Sequence, residues 1–436
     1  DENEAEAAIV NTCCFIGDAK EESIQTLLSL GERRKGGQLK ALIAAGCLAE
    51  RYKEELLREI PETDACIGTA SIEDIVKAVE AVVRKGAEES IKKCNEESVE
   101  ESVGESDGSL SDRLFLRPLN ARPYDAPERV LTTGGHYAYL KIAEGCDKGC
   151  TYCIIPTVRG RYRSMSTERL TEEAGRLAKR GVKELILVAQ ETTLYGVDLY
   201  GEKRLPALLR ALSEIDGIEW IRLLYCYPEE IDDALIEAIA KEKKVLHYLD
   251  LPIQHGADSV LRRMGRYTDR RSVLRIVSKL REKIPDVCLR TTLISGFPGE
   301  TEKEHEESVS LVREVGFDRL GVFPYSKEEG TPAAKLRGQL RKRIKEERRD
   351  ILMRTQQEIA FRKTAALKGK TLDALIEGKL ADEEHVYVGR TYRDAPDVDG
   401  YIFVRSDREL LTGDIVRTRV LAAKDYDLIG KEFARP

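Results

Sequence analysis

Apolar stretches alternate with stretches of helical spacing in the first 85 residues of the chain. Short apolar runs predict strands at 7–10, 39–45 and 65–68. The segments between and after them predict helices at 19–30, 50–60 and 72–83. Strands that alternate with helices in this way are typical of βαβ units. We therefore expect residues 1–85 to form a parallel α/β domain, with any ligand beyond the carboxyl ends of its strands.

The next stretch, residues 86–134, shows no apolar period. Glutamate, serine and glycine dominate its first half. Such a segment cannot bury enough apolar surface to fold alone, so we predict an acidic linker. Cys94 lies inside this segment and is assigned no role.

Strand and helix signals alternate again over residues 135–365. Six strands are predicted, at 137–143, 184–189, 219–225, 245–251, 287–294 and 319–325. A highly charged helix is expected over 341–368. Six βα units are fewer than the eight of a closed barrel. The pattern therefore predicts a partial (βα)6 barrel whose functional loops follow the strand ends.

Residues 366–436 change to an all-β pattern. Strands are predicted at 371–377, 384–391, 400–405 and 414–422, with turn signals between them. We expect a small five-stranded barrel of the kind that binds RNA or protein. Asp and Glu slightly outnumber Lys and Arg in this segment, which is unusual for a module that binds RNA.

Composition and charge narrow the functional classes. Contents of 42% apolar and 34% charged residues are typical of a soluble globular protein, and no apolar run is long enough to predict a membrane span. A net charge of −7 argues against a generally basic surface for nucleic acid. The ten cysteines are not spaced like a disulfide scaffold, so we expect a reducing, cytoplasmic location.

Three of those cysteines follow the first predicted barrel strand. Cys146, Cys150 and Cys153 have the spacing C-x3-C-x2-C on a loop that begins after Gly145. A single zinc ion normally takes a fourth protein ligand, and the nearest histidine, His136, precedes the strand. A [4Fe-4S] cluster can use three cysteines and keep one iron open to a substrate. The spacing favours this cluster, and a zinc loop completed by a distant ligand is the alternative.

Two further cysteines lie in the N-terminal domain. Cys13 and Cys47 each follow a predicted strand. Buried free cysteines often behave simply as small apolar residues. Because parallel strands present their carboxyl ends at one edge, the two together are a candidate second cluster site.

The three-cysteine loop resembles that of the radical S-adenosylmethionine superfamily. There the open iron chelates S-adenosylmethionine, and one electron cleaves it to methionine and a 5′-deoxyadenosyl radical. The resemblance implies contacts to this cofactor from residues after the second, fourth and fifth barrel strands: Gln190, Glu191, Thr192, His255, Gly296, Pro298 and Gly299. The histidine is equally compatible with a packing or capping role, and the glycines with an ordinary βα turn. Two roles are open for three arginines that follow the cysteines. They either hold a carboxylate or the charge of a cluster, or form a solvated face: Arg159, Arg161 and Arg163.

Over nearly its whole length the chain resembles the methylthiotransferase family of that superfamily. The family joins an α/β domain with an auxiliary cluster, a radical barrel and a small terminal barrel called TRAM. The Asn-Thr-Cys ending at Cys13 and the Gly-Cys ending at Cys47 match two ligands of a second [4Fe-4S] cluster. The resemblance places the third ligand in an earlier Gly-Cys context, which is missing from this chain, so we expect the start of the domain to precede Asp1. Cys14 and Cys66 do not match the motif.

Three stretches are similar to the branch of the family that modifies a ribosomal protein: residues 13–23, 325–331 and 389–400. The resemblance implies transfer of a methylthio group to the β-carbon of an aspartate in a small-subunit ribosomal protein of the decoding centre. We expect the carboxylates of 389–400 to attract this basic protein and to repel RNA phosphate. No general base is predicted, because hydrogen-atom transfer needs none.

The implied partners are the ribosomal protein, S-adenosylmethionine and an electron donor such as a flavodoxin or ferredoxin. Nucleic acid is expected to be secondary at most, and no membrane is expected. Two alternatives stay open. One is the transfer-RNA adenosine methylthiotransferase of the same family, and the other is a zinc-stabilised adaptor that binds RNA or the ribosome through its terminal barrel.

Overall fold

The computed structural model describes residues 4–84, 110–123 and 129–433. Within these ranges, no helix is both long enough and apolar enough to cross a bilayer. The chain divides into two compact units. Unit 1 comprises Asp1–Asp125, Gly145–Arg163 and Ser326–Ala334, and unit 2 comprises Ala126–Glu144, Ser164–Tyr325 and Lys335–Pro436.

Unit 1 is built on a sheet of four parallel strands. In sheet order these are β1 (Ala7–Thr12), β2 (Ala41–Gly46), β3 (Ala65–Ile67) and β4 (Leu114–Phe115). Its helices are α1 (Gly17–Lys35), α2 (Cys47–Tyr52), α3 (Glu54–Glu59), α4 (75–84) and α5 (Ile155–Arg159), with 3-10 turns at Ile72–Asp74 and Leu110–Arg113. The predicted parallel α/β arrangement is confirmed.

Two details of unit 1 differ from the prediction. The single helix expected over 50–60 is two short helices, because Lys53 adopts a left-handed φ of 46° between them. Of the linker expected over 86–134, residues 86–109 and 124–128 lie outside the described residues. The prediction is wrong at β4, which pairs with Cys66 and Ile67. Two apolar residues are too short a signal to predict a strand, and the edge of a formed sheet stabilises the pairing.

The apolar core of unit 1 draws on two distant parts of the chain. Leu42 of β2 and Leu48 of α2 pack in it together with Ile154 and Val158, which lie next to and within α5. Burial of aliphatic side chains of this size contributes about 1.5–3 kcal/mol each. The segment that carries the three cysteines is thereby anchored to the core of the N-terminal sheet.

Unit 2 contains a sheet of six parallel strands. Along the sheet these are β12 (Arg319–Pro324), β11 (Cys288–Ser295), β10 (Val245–Asp250), β9 (Trp220–Leu223), β8 (Glu184–Val188) and β5 (Tyr137–Lys141). The short strands β6 (Ala143–Glu144) and β7 (Arg163–Ser164) pair separately. All six predicted strands are confirmed, and the described strands form an open sheet, as expected for a partial barrel.

Helices connect these strands in the order that the periodicity predicts. They are α6 (Thr167–Lys179), α7 (Val197–Tyr200), α8 (Leu205–Ser213), α9 (Asp233–Lys241), α10 (Asp258–Arg263), α11 (Arg270–Lys283), α12 (Glu302–Val315) and α13 (Lys342–Ala365), with 3-10 turns at Pro228–Glu230 and Pro332–Lys335. Side chains of Ser166, Asp232, Asp269 and Thr301 accept a backbone hydrogen bond at the first turn of their helices. Such caps contribute about 1 kcal/mol each.

The C-terminal segment of unit 2 is a closed barrel of five strands. These are β13 (Thr371–Lys379), β14 (Val386–Thr391), β15 (Ile402–Arg405), β16 (Ile415–Lys424) and β17 (Asp427–Glu432). Four were predicted near these positions. The fifth, β17, follows β16 after a two-residue turn at Asp425, whose φ of 56° is left-handed. A tight turn of this kind is needed because antiparallel neighbours join through short hairpins.

A buried network of charges joins this small barrel to the six-stranded sheet. Glu184 at the start of β8 accepts hydrogen bonds from Arg222 of β9 and from Arg390 of β14, each over 2.7 Å. The side chains of all three are fully buried. Arg390 also donates to Glu377 over 2.6 Å. The terminal barrel is therefore an integral part of unit 2.

Candidate functional site

The three-cysteine loop lies in unit 1. Cys146 and Cys150 are buried, and Cys153 is half-buried. The Cys153 amide donates to the Cys150 carbonyl over 3.1 Å, which closes the loop into a tight turn. Gly145 opens the loop with a φ of +82°, and a Cβ there would lie 2.1 Å from the Arg161 carbonyl oxygen. Only glycine allows this approach of the two backbone segments.

The thiols of this loop are neighbours in a partly apolar environment. Burial and the charges of Cys150 and Cys146 raise the pKa of the Cys153 thiol to about 12, although the Ile155 amide donates to its sulfur over 3.4 Å. Among the described residues, no three His, Cys, Asp or Glu side chains are grouped tightly enough to hold a single metal ion. Three sulfur donors on one loop fit an iron–sulfur cluster, whose iron charge stabilises thiolates.

Cys13 and Cys47 lie at the carboxyl ends of adjacent strands, as predicted. Thr12 of β1 pairs with Gly46 of β2, so each cysteine directly follows a paired residue. Cys13 is exposed and Cys47 is half-buried. Cys14 is fully buried in the apolar core and donates to the Cys47 carbonyl over 3.2 Å. The geometry therefore leaves Cys13 and Cys47 as the candidate ligands.

One arginine connects the two sets of cysteines. Arg159, the last residue of α5, donates from Nε to the Cys47 sulfur over 3.3 Å. Arg163 donates instead to the backbone carbonyls of Arg159 and Arg161, and the Arg161 side chain is exposed. Hydrogen bonds to cluster sulfurs tune reduction potentials. Arg159 is therefore placed to act on a sulfur ligand.

The loop after β8 in unit 2 is organised by its own side chains. Glu191 is fully buried and accepts hydrogen bonds from the amide and the hydroxyl of Thr193. Thr192 is also fully buried, and its hydroxyl donates to the Leu224 carbonyl over 2.8 Å. Gln190 before them is half-buried. Glu191 and Thr192 therefore fix the conformation of the loop, whereas the Gln190 side chain is less buried than theirs.

His255 after β10 is 2% exposed and has protein partners at its ring. Its Nδ1 accepts from the Ala257 amide over 3.0 Å, and the Ser308 hydroxyl lies 3.2 Å from the same atom. Its Nε2 lies 3.7 Å from a carboxylate oxygen of Glu300. These contacts favour the packing role over direct ligand contact, two possibilities that the sequence left open.

The turn after β11 contains Gly296, Pro298 and Gly299. A Cβ on Gly296 would lie 2.4 Å from the Lys345 side chain, so α13 packs against this glycine. Gly299 has a φ of +74° and open space around the Cβ position, and its amide donates to the Gly338 carbonyl over 2.8 Å. Pro298 is buried. Close approach of a ligand is therefore possible at Gly299, whereas Gly296 serves packing.

A buried glutamate holds the same turn in place. Glu300 accepts from the Phe297 amide over 2.9 Å and lies 3.2 Å from Arg348 of α13. Although burial opposes its ionisation, His255, Arg348 and His305 hold the pKa of Glu300 below its ordinary value. The turn after β11 and the loop after β10 are thus connected through one carboxylate.

Two carboxylates of the acidic segment 389–400 do not have the role that its composition suggested. Asp394 pairs with Arg319 over 2.5 Å, and the Asp399 carboxylate is 2% exposed and accepts from Tyr248 over 2.8 Å. These carboxylates are neutralised inside unit 2. The expectation that they attract a basic protein is wrong for Asp394 and Asp399, because a buried, paired charge has little field in solvent.

Two other residues considered from the sequence lie within unit 2 or the N-terminal sheet. Cys66 lies within β3 and is fully buried, which raises the pKa of its thiol to about 12. His136 is buried, and its Nε2 lies 3.6 Å from Glu377 of the terminal barrel. Burial therefore accounts for Cys66, and proximity to the terminal barrel for His136. Cys94 falls outside the described residues.

Sequence reasoning missed a buried pair at the carboxyl end of the barrel strands. Asp250 ends β10 and pairs with Arg290 of β11 over 2.9 Å. The Tyr225 amide donates to the second oxygen of the same carboxylate over 3.1 Å. The signal available in the sequence was Asp250 itself, a charged residue in an apolar strand. Because parallel strands are buried and rarely hold an unpaired charge, Asp250 predicts a partner of opposite charge nearby.

Three family descriptions match successive parts of the chain. Residues 1–68 match the description "Uncharacterized protein family UPF0004", residues 140–312 the radical SAM superfamily, and residues 369–432 the TRAM domain.

Curated relatives match the chain almost from end to end. A protein of Lachnoclostridium phytofermentans named ribosomal protein uS12 methylthiotransferase RimO is 54% identical over 99% of this chain and 92% of its own length. A protein of Acetivibrio thermocellus with the same name is 48% identical over 99% of this chain and 91% of its own length.

A solved structure shares the fold at low sequence identity. The radical S-adenosylmethionine methyltransferase TsrM from Kitasatospora setae, with cobalamin and a [4Fe-4S] cluster bound, has a TM-score of 0.52 and 14% identity. The similarity covers 76% of this chain and 66% of that structure.

Proposed function

This chain belongs to the methylthiotransferase family of radical S-adenosylmethionine enzymes, and we propose that it adds a methylthio group to the β-carbon of an aspartate in ribosomal protein uS12. The observation that carries the proposal is the identity of 54% and 48% to two proteins named for this activity, over 99% of the chain. The order of the three matched segments supports it, because each lies where the family's architecture requires it.

We propose that Cys146, Cys150 and Cys153 hold the first [4Fe-4S] cluster. When bound, this cluster supplies the electron that cleaves S-adenosylmethionine to methionine and a 5′-deoxyadenosyl radical. The residues of the loop contribute positioning. The left-handed Gly145 and the turn from Cys150 to Cys153 fix three sulfurs on a short loop, and anchoring of α5 in the core restricts its movement.

We propose that Cys13 and Cys47 hold the second [4Fe-4S] cluster together with a third ligand. Adjacent parallel strands hold the two cysteines at one edge of the sheet, as a shared ligand set requires. The Arg159 side chain places a positive charge at the Cys47 sulfur, where it stabilises the thiolate. A cluster held by these residues would supply the sulfur that is methylated and transferred.

We propose that the loops after β8, β10 and β11 bind S-adenosylmethionine, some residues by direct contact and others by fixing the loops. Gln190, Pro298 and Gly299 lie at the ligand, and Gly299 has the open space for close approach of the backbone. The conformation of the loops is fixed by buried contacts of four other residues: Glu191, Thr192, His255 and Gly296. Catalysis by this arrangement is mainly a matter of orientation, since a displaced 5′-deoxyadenosyl radical carbon would abstract the wrong hydrogen.

Two partners complete the proposal. Each cleavage consumes one electron, which a flavodoxin or ferredoxin would supply. Transfer to uS12 places the enzyme in the cytoplasm, where ribosomal proteins are made and assembled. Nucleic acid is secondary in this account, because the substrate atom belongs to a protein.

A direct comparison of substrates tests the proposed function. The protein with its clusters reconstituted anaerobically is incubated with S-adenosylmethionine, a reductant and either a uS12 peptide or an adenosine-containing transfer-RNA stem–loop. Mass spectrometry should find the methylthio group on the peptide aspartate alone. Modification of the stem–loop instead would assign the chain to the other branch of the family.

A further inference from the structure

Backbone strain marks one edge of the six-stranded sheet. Among the described residues of this sheet and its loops, the non-glycine residues with positive φ are Tyr225 (58°) and Gln254 (73°). They follow the neighbouring strands β9 and β10 at their carboxyl ends. A left-handed conformation costs a residue with a Cβ roughly 1–2 kcal/mol. Strain of this kind persists where the surrounding structure enforces it, and it concentrates at functional sites.

Buried groups on both sides enforce the conformation of Tyr225. Its amide donates to Asp250 over 3.1 Å, and its carbonyl accepts from the amide and the hydroxyl of Thr192, each over 3.1 Å. Thr192 is fully buried and Asp250 is 1% exposed. Arg290 in turn neutralises Asp250 over 2.9 Å. The loop after β8 and the last residue of β10 therefore hold one backbone position from two directions.

The side chain at this rigid position is half exposed. Tyr225 has 46% of its surface accessible, although the groups that hold its backbone are buried. A tyrosine with only a packing role would gain more by burying its ring. The phenol of Tyr225 is protonated at neutral pH, and partial burial and the charge of Asp250 raise its pKa further above the ordinary value. The site thus presents a neutral hydrogen-bond donor on a firmly held backbone, at the edge where barrel ligands bind.

We propose that Tyr225 is a specificity-determining residue that donates a hydrogen bond to the carboxylate of the target aspartate. The inference rests on the proposed function and adds a residue to it. The carboxylate is bonded to the β-carbon, so holding its oxygen fixes the position of the carbon to be modified. A phenol hydroxyl suits this task because it can donate a hydrogen bond to a carboxylate while keeping its own proton. The hydrogen bonds to Asp250 and Thr192 hold the Tyr225 backbone in its strained conformation.

A double-mutant cycle on binding tests the inference. Binding of a fluorescent uS12 peptide is measured by anisotropy with the cluster-loaded protein and S-adenosylmethionine, for wild type and Tyr225→Phe. The second peptide carries alanine in place of the target aspartate. We expect Tyr225→Phe to weaken binding of the aspartate peptide about tenfold to a hundredfold, as for a bond to a charged group. The alanine peptide should bind both proteins equally.

Matched controls separate the possible failures. Tyr267→Phe changes a tyrosine that is 80% exposed in the same unit, and it should leave both affinities unchanged. Equal thermal midpoints of wild type and Tyr225→Phe show that the fold is intact. If Tyr225→Phe weakens both peptides alike, or neither, the inference is overturned. If the wild type neither binds nor modifies the aspartate peptide, the proposed function itself fails.

Discussion

Replacing Glu184 by glutamine should destabilise unit 2 strongly. The carboxylate accepts two hydrogen bonds of 2.7 Å, from Arg222 and from Arg390, and all three side chains are fully buried. A glutamine amide can accept from one arginine, but its NH2 group then faces the N–H groups of the other. Arg222 would lose its ionic partner, and Arg390 would keep only Glu377.

The expected cost follows from the burial of these charges. Removal of one partner from a buried ion pair costs about 3–5 kcal/mol, because the remaining charge stays desolvated. Equilibrium unfolding in urea, followed by the fluorescence of the single tryptophan, Trp220 of β9, reports on this region. Glu237→Gln, which removes an exposed partner of Lys241, should leave the midpoint unchanged. The double variant Glu184→Gln/Arg390→Met should recover part of the loss.

The dependence on pH provides a second readout. Although burial opposes ionisation, Arg222 and Arg390 hold the pKa of Glu184 below its ordinary value. The contribution of the carboxylate is therefore fully present above about pH 4.3, the unfolded value, and is lost as the pH falls through the folded pKa. The difference between wild type and variant should shrink in this acidic range. An unfolding midpoint of Glu184→Gln equal to that of wild type at neutral pH would refute the reasoning.

Two further variants test local features of unit 2. Gly296→Ala should lower the thermal midpoint more than Gly299→Ala. Both residues have positive φ, but only a Cβ on Gly296 would lie 2.4 Å from the Lys345 side chain. Equal midpoints of the two variants would contradict the packing role of Gly296. For Glu304, burial opposes ionisation, but hydrogen bonds led by that of Arg263 lower its pKa to about 2. The contribution of the Glu304 carboxylate to stability is present above about pH 4.3 and is lost toward pH 2. Glu304→Gln should therefore lose stability less steeply than wild type in acid titrations followed by circular dichroism. An equal slope in the two proteins would count against this ion pair.

Periodicity located most strands because the buried parallel strands are continuous apolar runs. All six strands of the large sheet and the first three of the N-terminal sheet lie near their predicted positions. β4 and β17 were missed for physical reasons. β4 has two residues and is stabilised by an existing sheet edge, whereas β17 interrupts its apolar residues with glycine and lysine. Local pattern carries no information on such pairing partners.

The part of the candidate site that could be predicted is its cysteines, because the spacing of metal ligands is visible in the sequence. The spacing C-x3-C-x2-C predicts a cluster loop without any structure, and the strand ends predict that Cys13 and Cys47 lie at one edge of the sheet, as the structure shows. Contacts between distant segments were not predictable. Nothing in the spacing places Arg159 at the Cys47 sulfur, 112 residues away in sequence. The acidic composition of 389–400 was misleading for the same reason, because pairing with buried arginines decides whether a carboxylate acts on solvent.

The central claim is that two sets of cysteines perform different halves of one reaction. The measurement that tests it is simultaneous detection of 5′-deoxyadenosine and methylthiolated uS12 peptide in three proteins: wild type, Cys150→Ala and Cys47→Ala. Wild type should form both products. Cys150→Ala should form neither, because the first cluster is lost, whereas Cys47→Ala should still form 5′-deoxyadenosine but no methylthiolated peptide. Undiminished 5′-deoxyadenosine from Cys150→Ala, or methylthiolated peptide from Cys47→Ala at the wild-type level, would contradict the account.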